Sequence, residues 1–240
     1  MILVLRLTGA TLPAGAGRVG IGLAAPGSPT RAPDAVSPLS SRPVRLLIAI
    51  PVKPFGVAKA RLDPVLTGVQ RSRLGRTIAA HTIEQARATG ARVAVVTGDP
   101  GVSGWARSTG VEVVVEAPEH GAGLNGAAAA AAARAGRDQS DWLILHADLP
   151  LLTTADLEAA IDRRRPGRLV IAPSYDGGTS LLLGAGSFPF SYGQGSFHRH
   201  LQAAGGAEVV VRTGLSLDLD TPRDLAAARA LSGTWQEVPA

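Results

Sequence analysis

The 240-residue chain contains no cysteine, which excludes disulfides, thiolate metal sites and a cysteine nucleophile and is compatible with a reducing cytoplasm. Aromatic residues make up only 4% of it, so Val, Leu, Ile and Ala must fill the core. No stretch approaches ~18 uninterrupted apolar residues, so none reads as a membrane span. Lysine is nearly absent too. Of 24 Lys and Arg residues, only Lys53 and Lys59 are lysines, and both fall in one short loop. A chain that otherwise uses Arg thus places two compact ammonium groups together, the kind of group that meets a phosphate as a point charge. The formal net charge of +5 and a pI near 10.6 suit an anionic ligand. The basic residues are scattered without interleaved aromatics, which argues against nucleic acid as that ligand.

What is present centres on W-L-I-L-H-A-D-L-P-L-L, from Trp142 to Leu152. A run apolar on both faces suits a central parallel strand covered by helices. The carboxyl ends of such strands are where open α/β sheets hold their ligands, and Asp148 falls there. The competing reading is that Asp148 starts a turn or caps the helix opened by Thr153-Thr154-Ala155-Asp156.

Residues 1–42 are rich in Pro, Gly, Ala and Ser without a sustained period and read as a disordered leader. Residues 43–233 read as one α/β domain, mostly parallel in its sheet with helices on both faces, and 234–240 as a tail. Val44 to Val52 is the first strand, and Lys53, Lys59 and Arg61 follow its carboxyl end as an anion site. A helix over 70–88, a strand over 92–97, a short helix near 102–108 and a strand over 111–116 come next. Gly121-Ala-Gly123-Leu-Asn-Gly126 matches the dinucleotide fingerprint, with Asp148 about 20 positions on. The glycines do not follow their strand directly, however, and Asn125 also reads as a plain helix N-cap. Helix 154–164 and strand 168–173 lead to Asp176-Gly-Gly-Thr-Ser180, a turn into Leu181 to Leu183. The imidazoles in Phe190-Ser-Tyr-Gly-Gln-Gly-Ser-Phe-His-Arg-His200 are spaced i, i+2 and share no helix face, so they read as solvated or structural. In L-S-L-D-L-D-T-P-R-D-L, from Leu215, strand periodicity puts Asp218 and Asp220 on one side. Thr221 and Asp224 form a cap with Pro222 at the first helical position, which leaves Asp220 free. Two carboxylates at strand tips are what Mg²⁺ needs when a ligand's phosphates and water complete its shell.

Taken together, P-V-K-P-F-G-V-A-K-A-R-L, G-L-N-G-A, A-D-L-P-L-L, D-G-G-T-S, Y-G-Q-G-S-F and D-L-D-T-P-R-D-L resemble, in this order over about 46–231, the phosphoenolpyruvate/2-phospho-L-lactate guanylyltransferase family of coenzyme F-420 biosynthesis. The resemblance implies a single-domain, Rossmann-like nucleotidyltransferase fold of the nucleotide-diphospho-sugar transferase type, related to the molybdenum-cofactor guanylyltransferases. It implies GTP as donor and a three-carbon phosphorylated acid as acceptor, with phosphoenolpyruvate ahead of 2-phospho-L-lactate, and the downstream transferase of that pathway as a partner. Carried over by position, Asp148 and Asp220 would hold Mg²⁺. Lys53, Lys59 and Arg61 would lie on the triphosphate, with Lys53 and Lys59 among the catalytic groups and Asn125 beside the nucleotide. Thr179, Gly193 and Ser196 would receive the acid. Pro54-Phe55-Gly56 departs from the family's first loop. Other acceptors (3-phospho-D-glycerate, a molybdenum-cofactor precursor or a sugar phosphate) and an NAD(P)-binding oxidoreductase are the alternative expectations.

Overall fold

Burial on both faces of Leu46–Pro51 sets the architecture. Leu46, Ile48 and Ile50 face one apolar layer, while Leu47 and Ala49 face another, as the two-residue period of a strand buried on both sides requires. The computed structural model describes residues 45–116 and 118–235; the expected leader and the end of the tail lie outside them. In chain order, the elements are β1 (Leu46–Pro51), α1 (Gly68–Ala88), β2 (Arg92–Thr97), α2 (Pro100–Ser108), β3 (Glu112–Val115), α3 (Gly123–Arg137), β4 (Asp141–Leu145) and α4 (Thr154–Ile161). They continue with β5 (Leu169–Pro173), β6 (Thr179–Gly184), α5 (Ser196–Ala204), β7 (Ala207–Val209), α6 (Thr213–Ser216) and α7 (Pro222–Leu231).

Among the described residues, the strands form one sheet in the order β3-β2-β1-β4-β6-β5-β7, with β6 alone running antiparallel. The chain winds outward from β1 through β2 to β3 and then returns to place β4 on the other side of β1. This creates a switch point between β1 and β4, where α/β sheets open a crevice. α1, α2 and α4 cover one face. The alanine-rich α3 covers the other, its small side chains lying close against Leu47, Ala49 and Trp142. A third apolar cluster joins Leu62, Leu74 and Ile78 to Leu219, Leu225 and Trp235.

Three expectations change. β4 ends at Leu145, so Asp148 stands three residues past the strand, in the connection to α4. Residues 217–220 form no strand. Leu219 N–H bonds the Asp148 C=O at 3.0 Å, Leu219 is buried, and Asp218 and Asp220 both line one cleft. Asn125 does not cap α3. The N-cap position is Ala122, without a side-chain cap. β7 lacks a legible pattern in the sequence and forms by pairing with β5.

Candidate active site

The loop after β1 is pinned by apolar anchors. Phe55 is buried and meets Trp105 edge-on at 5.0 Å, and Leu62 is fully buried. Between them Lys59 adopts a left-handed backbone, φ 61° and ψ 32°, which is uncommon outside glycine and costs about 1–2 kcal/mol. That turn sends the ammonium inward. Lys59 Nζ donates to Asp148 Oδ2 at 2.6 Å and to Asp220 Oδ1 at 2.9 Å.

Asp148 and Asp220 are both free of capping work. Thr153 and Asp156 cap α4 reciprocally. Thr221 and Asp224 do the same for α7, Asp224 also accepting from the Asp220 N–H at 3.0 Å. The Leu219–Asp148 backbone bond draws the two segments together, and both carboxylates turn to Lys59. Burial opposes the charge on Lys59, but Asp148 and Asp220 outweigh it and raise its pKa. Burial likewise opposes ionisation of Asp148, but Lys59 and His146 outweigh it and lower the carboxyl's pKa.

This group opens onto a cleft of about 630 Å³ that runs along the carboxyl ends of β1, β2 and β3. Lys53 is exposed on its wall, and Gly123 and Leu124 at the start of α3 form another part. Arg61, by contrast, is exposed on the turn Ala60–Leu62 and does not line the cleft. Asn125 turns away, its Oδ1 accepting from the Tyr192 N–H at 2.6 Å. The glycine-rich 121–126 stretch has a packing rationale: Gly121 and Gly123 have positive φ, and a Cβ on Gly126 would overlap the Gly121 carbonyl. Asp148, the acidic residue a dinucleotide fingerprint needs, is held by Lys59.

The residues expected to receive the acid form a second group, where β6 starts beside the end of β4. Thr179 and Ser196 are buried. Ser196 Oγ donates to Thr179 Oγ1 at 3.2 Å, and His200 Nδ1 lies 3.0 Å from the same oxygen. Because His200 Nε2 accepts from the Ser191 N–H, Nδ1 carries the proton and donates to Thr179. Gly193 is exposed nearby with φ 122°. His200 is therefore structural, as its spacing suggested, and burial, with Arg199 and His146, pushes its pKa down to about 4.

Sequence reasoning gave no role to two residues between these groups. His146 Nδ1 lies 3.9 Å from Asp148 Oδ1. Its pKa is lowered by burial, its Nε2 has no partner among the described residues, and its ring packs 5.7 Å from that of Tyr192. Asp218 is buried, and burial together with Asp148 and Asp176 pushes its carboxyl up to about 7. The D-L-D period signalled Asp218; nothing local signalled His146.

Asp148 Oδ1 has no hydrogen-bond partner among the described residues. With Asp220 it provides an all-oxygen donor set suited to a hard cation such as Mg²⁺. No described group of three or more His, Asp or Glu is gathered to hold a metal alone, so ligand oxygens and water would complete the shell.

The sheet order and its switch-point cleft are those of a nucleotidyltransferase-like α/β fold. A solved nucleotidyl transferase from Methanothermobacter matches with a TM-score of 0.54 at 15% identity, over 79% of this chain and 98% of that one. CMP:2-keto-3-deoxy-manno-octonic acid synthetase, solved with CTP, matches at 0.51 and 16% identity, over 79% and 99%. At such identities the likeness concerns the fold. The chain belongs to the family of CofC-like guanylyl transferases, matched over residues 46–230. It is 38% identical to a phosphoenolpyruvate guanylyltransferase of Rubrobacter xylanophilus, over 77% of this chain and 93% of the relative. It is 32% identical to a 2-phospho-L-lactate guanylyltransferase of Methanothermobacter thermautotrophicus, over 73% and 80%. Among the described residues, no helix is long and apolar enough to cross a membrane.

Proposed function

We propose that the protein transfers GMP from GTP to the phosphate of a three-carbon phosphorylated acid and releases pyrophosphate, with phosphoenolpyruvate the first candidate acceptor and 2-phospho-L-lactate the second. The product would enter the assembly of coenzyme F-420. One observation carries this reading: Lys59 joined to both Asp148 and Asp220 at the mouth of the cleft, in a chain whose relatives are named for these two reactions.

The chemistry needs little from the protein beyond charge and position. A phosphate monoester has a second pKa of about 6, so its oxygen is already ionised at neutral pH and no general base is required. That oxygen attacks the α-phosphorus, a P–O bond forms, and the bond to the bridging oxygen breaks as pyrophosphate leaves with the electron pair. The obstacle is bringing a dianion to a triphosphate, and cations that neutralise and align the two supply most of the catalysis in such transfers. Lys53 on the cleft wall and Lys59 at its mouth provide fixed positive charge. Asp148 and Asp220 would hold Mg²⁺, which when bound neutralises phosphate oxygens.

The direct test is pyrophosphate release with Mg²⁺ and GTP, comparing phosphoenolpyruvate, 2-phospho-L-lactate and 3-phospho-D-glycerate, with ATP and CTP as controls. One preferred acid with GTP is expected; no release with any acid would remove the reading. Asp148→Asn should abolish turnover while leaving the circular dichroism spectrum intact. Retained activity would show that Asp148 is not in the machinery.

A further inference from the structure

The cleft has two chemically opposite ends. Lys53, Lys59, Asp148 and Asp220 mark one; at the other, the tips of β2 and β3, it is lined by Asp99 and Glu116 and, among the described residues, by no Lys or Arg. β3 and β4 are three strand spacings apart, about 14 Å, a distance suited to the base, sugar and α-phosphate of one nucleotide. An acidic end repels a triphosphate and a phosphorylated acid alike. It suits a neutral group rich in N–H donors.

The two acids differ in what they already do. Asp99 Oδ1 accepts from the Val102 N–H at 2.8 Å as the N-cap of α2. The Glu116 N–H bonds the Thr97 carbonyl at 3.3 Å and extends the β2–β3 ladder by one residue. Its carboxylate has no hydrogen-bond or ion-pair partner among the described residues. Gly98 lies beside it. A Cβ on Gly98 would stand 3.8 Å from the Glu116 Cβ, in ordinary contact. Gly98 has no left-handed φ, so its backbone conformation does not demand glycine.

We propose that Glu116 selects the donor's base, its two carboxylate oxygens accepting from N1–H and the exocyclic N2 amino group of guanine. This rests on the guanylyl-transfer reading and adds the specificity determinant to it. A carboxylate facing two parallel N–H donors forms the strong, charge-assisted bidentate arrangement. Adenine and cytosine present a bare ring-nitrogen acceptor at the equivalent position, and the carboxylate repels it.

Base selection is read without turnover by titrating the full chain with GTP, ITP and ATP in the presence of Mg²⁺. ITP keeps N1–H and lacks only the N2 amino group. Wild type should bind GTP about 10- to 100-fold more tightly than ITP, the factor expected for one charged hydrogen bond. In Glu116→Gln that ratio should fall towards one, while Glu116→Asp, which keeps the charge, should retain part of it. Circular dichroism establishes that each variant is folded. A GTP-to-ITP ratio unchanged in Glu116→Gln, or wild type that binds ATP as tightly as GTP, overturns the proposal. Pyrophosphate release measured alongside separates the two readings. Selective GTP binding lost in Glu116→Gln, with no turnover on any acid, would remove guanylyl transfer and keep Glu116 as the base reader. Turnover with an unchanged ratio would do the reverse.

Discussion

At the scale of single residues, Lys59 carries the argument. Its ammonium is nearly enclosed, with 7% of the side chain exposed, while Asp220 is 44% exposed. Lys59→Met would leave two carboxylates facing each other without a cation. Breaking a fully buried pair costs about 3–5 kcal/mol, and solvent screening at Asp220 reduces this. A loss of about 2 kcal/mol is therefore expected in EDTA at neutral pH, partly restored by Mg²⁺, and differential scanning calorimetry with and without the ion measures it. His200 makes a different prediction. Its folded pKa, lowered to about 4, lies below the ordinary imidazole value near 6.5, so between these values the unfolded chain binds the extra proton. Its contribution is fully present above pH ~6.5 and lost progressively as pH falls towards 4. Arg199 and His146 add to the same depression, so the measurement is a difference: the thermal midpoint of His200→Asn should fall less steeply over this window than that of wild type.

At the scale of elements, Gly184 shows how closely β6 is packed. A Cβ there would overlap Leu169 Cδ2 and stand 2.9 Å from Trp142 Cη2. Gly184→Ala should cost about 1–3 kcal/mol by overpacking and lower the thermal midpoint by several degrees. Most elements were legible because each carried its own signal: short apolar runs in β1 and β2, the T-x-x-D caps of α4 and α7, and the glycine turn between β5 and β6. What the sequence hid depended on partners distant along the chain. The apolar run from Trp142 did not reveal that the ladder stops at Leu145, because that boundary is where β1 and β6 cease to pair with it. β7 exists through β5. Asp148 and Asp220 were legible as carboxylates freed by caps nearby, but the strand tips expected beneath them are not there: β4 stops at Leu145 and residues 217–220 form no strand. Their joint hold on Lys59 was not legible, since a left-handed lysine has no local signature, and neither were His146 or the open carboxylate of Glu116.

At the scale of the whole molecule, the parallel strands deliver their carboxyl ends to one edge of the sheet, and β6, running the other way, starts Thr179 at that same edge. A net charge of +5 surrounds a cleft whose cations are two lysines. Screening lengths shrink from about 10 Å at 0.1 M salt to about 3 Å at 1 M, so the KM for GTP should rise with added NaCl while kcat changes less; steady-state assays across that range would check it. The Lys59 turn has one more consequence, which is arithmetic. Two carboxylates and one ammonium sum to a single negative charge in the Lys59 group itself, with the Lys53 ammonium on the cleft wall as a separate cation. A bare triphosphate meets that residual minus sign, and a bare divalent ion meets the ammonium standing between the carboxylates. Each hinders the other's solitary arrival, whereas a metal and nucleotide entering together cancel both objections. On that balance of charge, metal and nucleotide are expected to arrive more readily as a pair than singly.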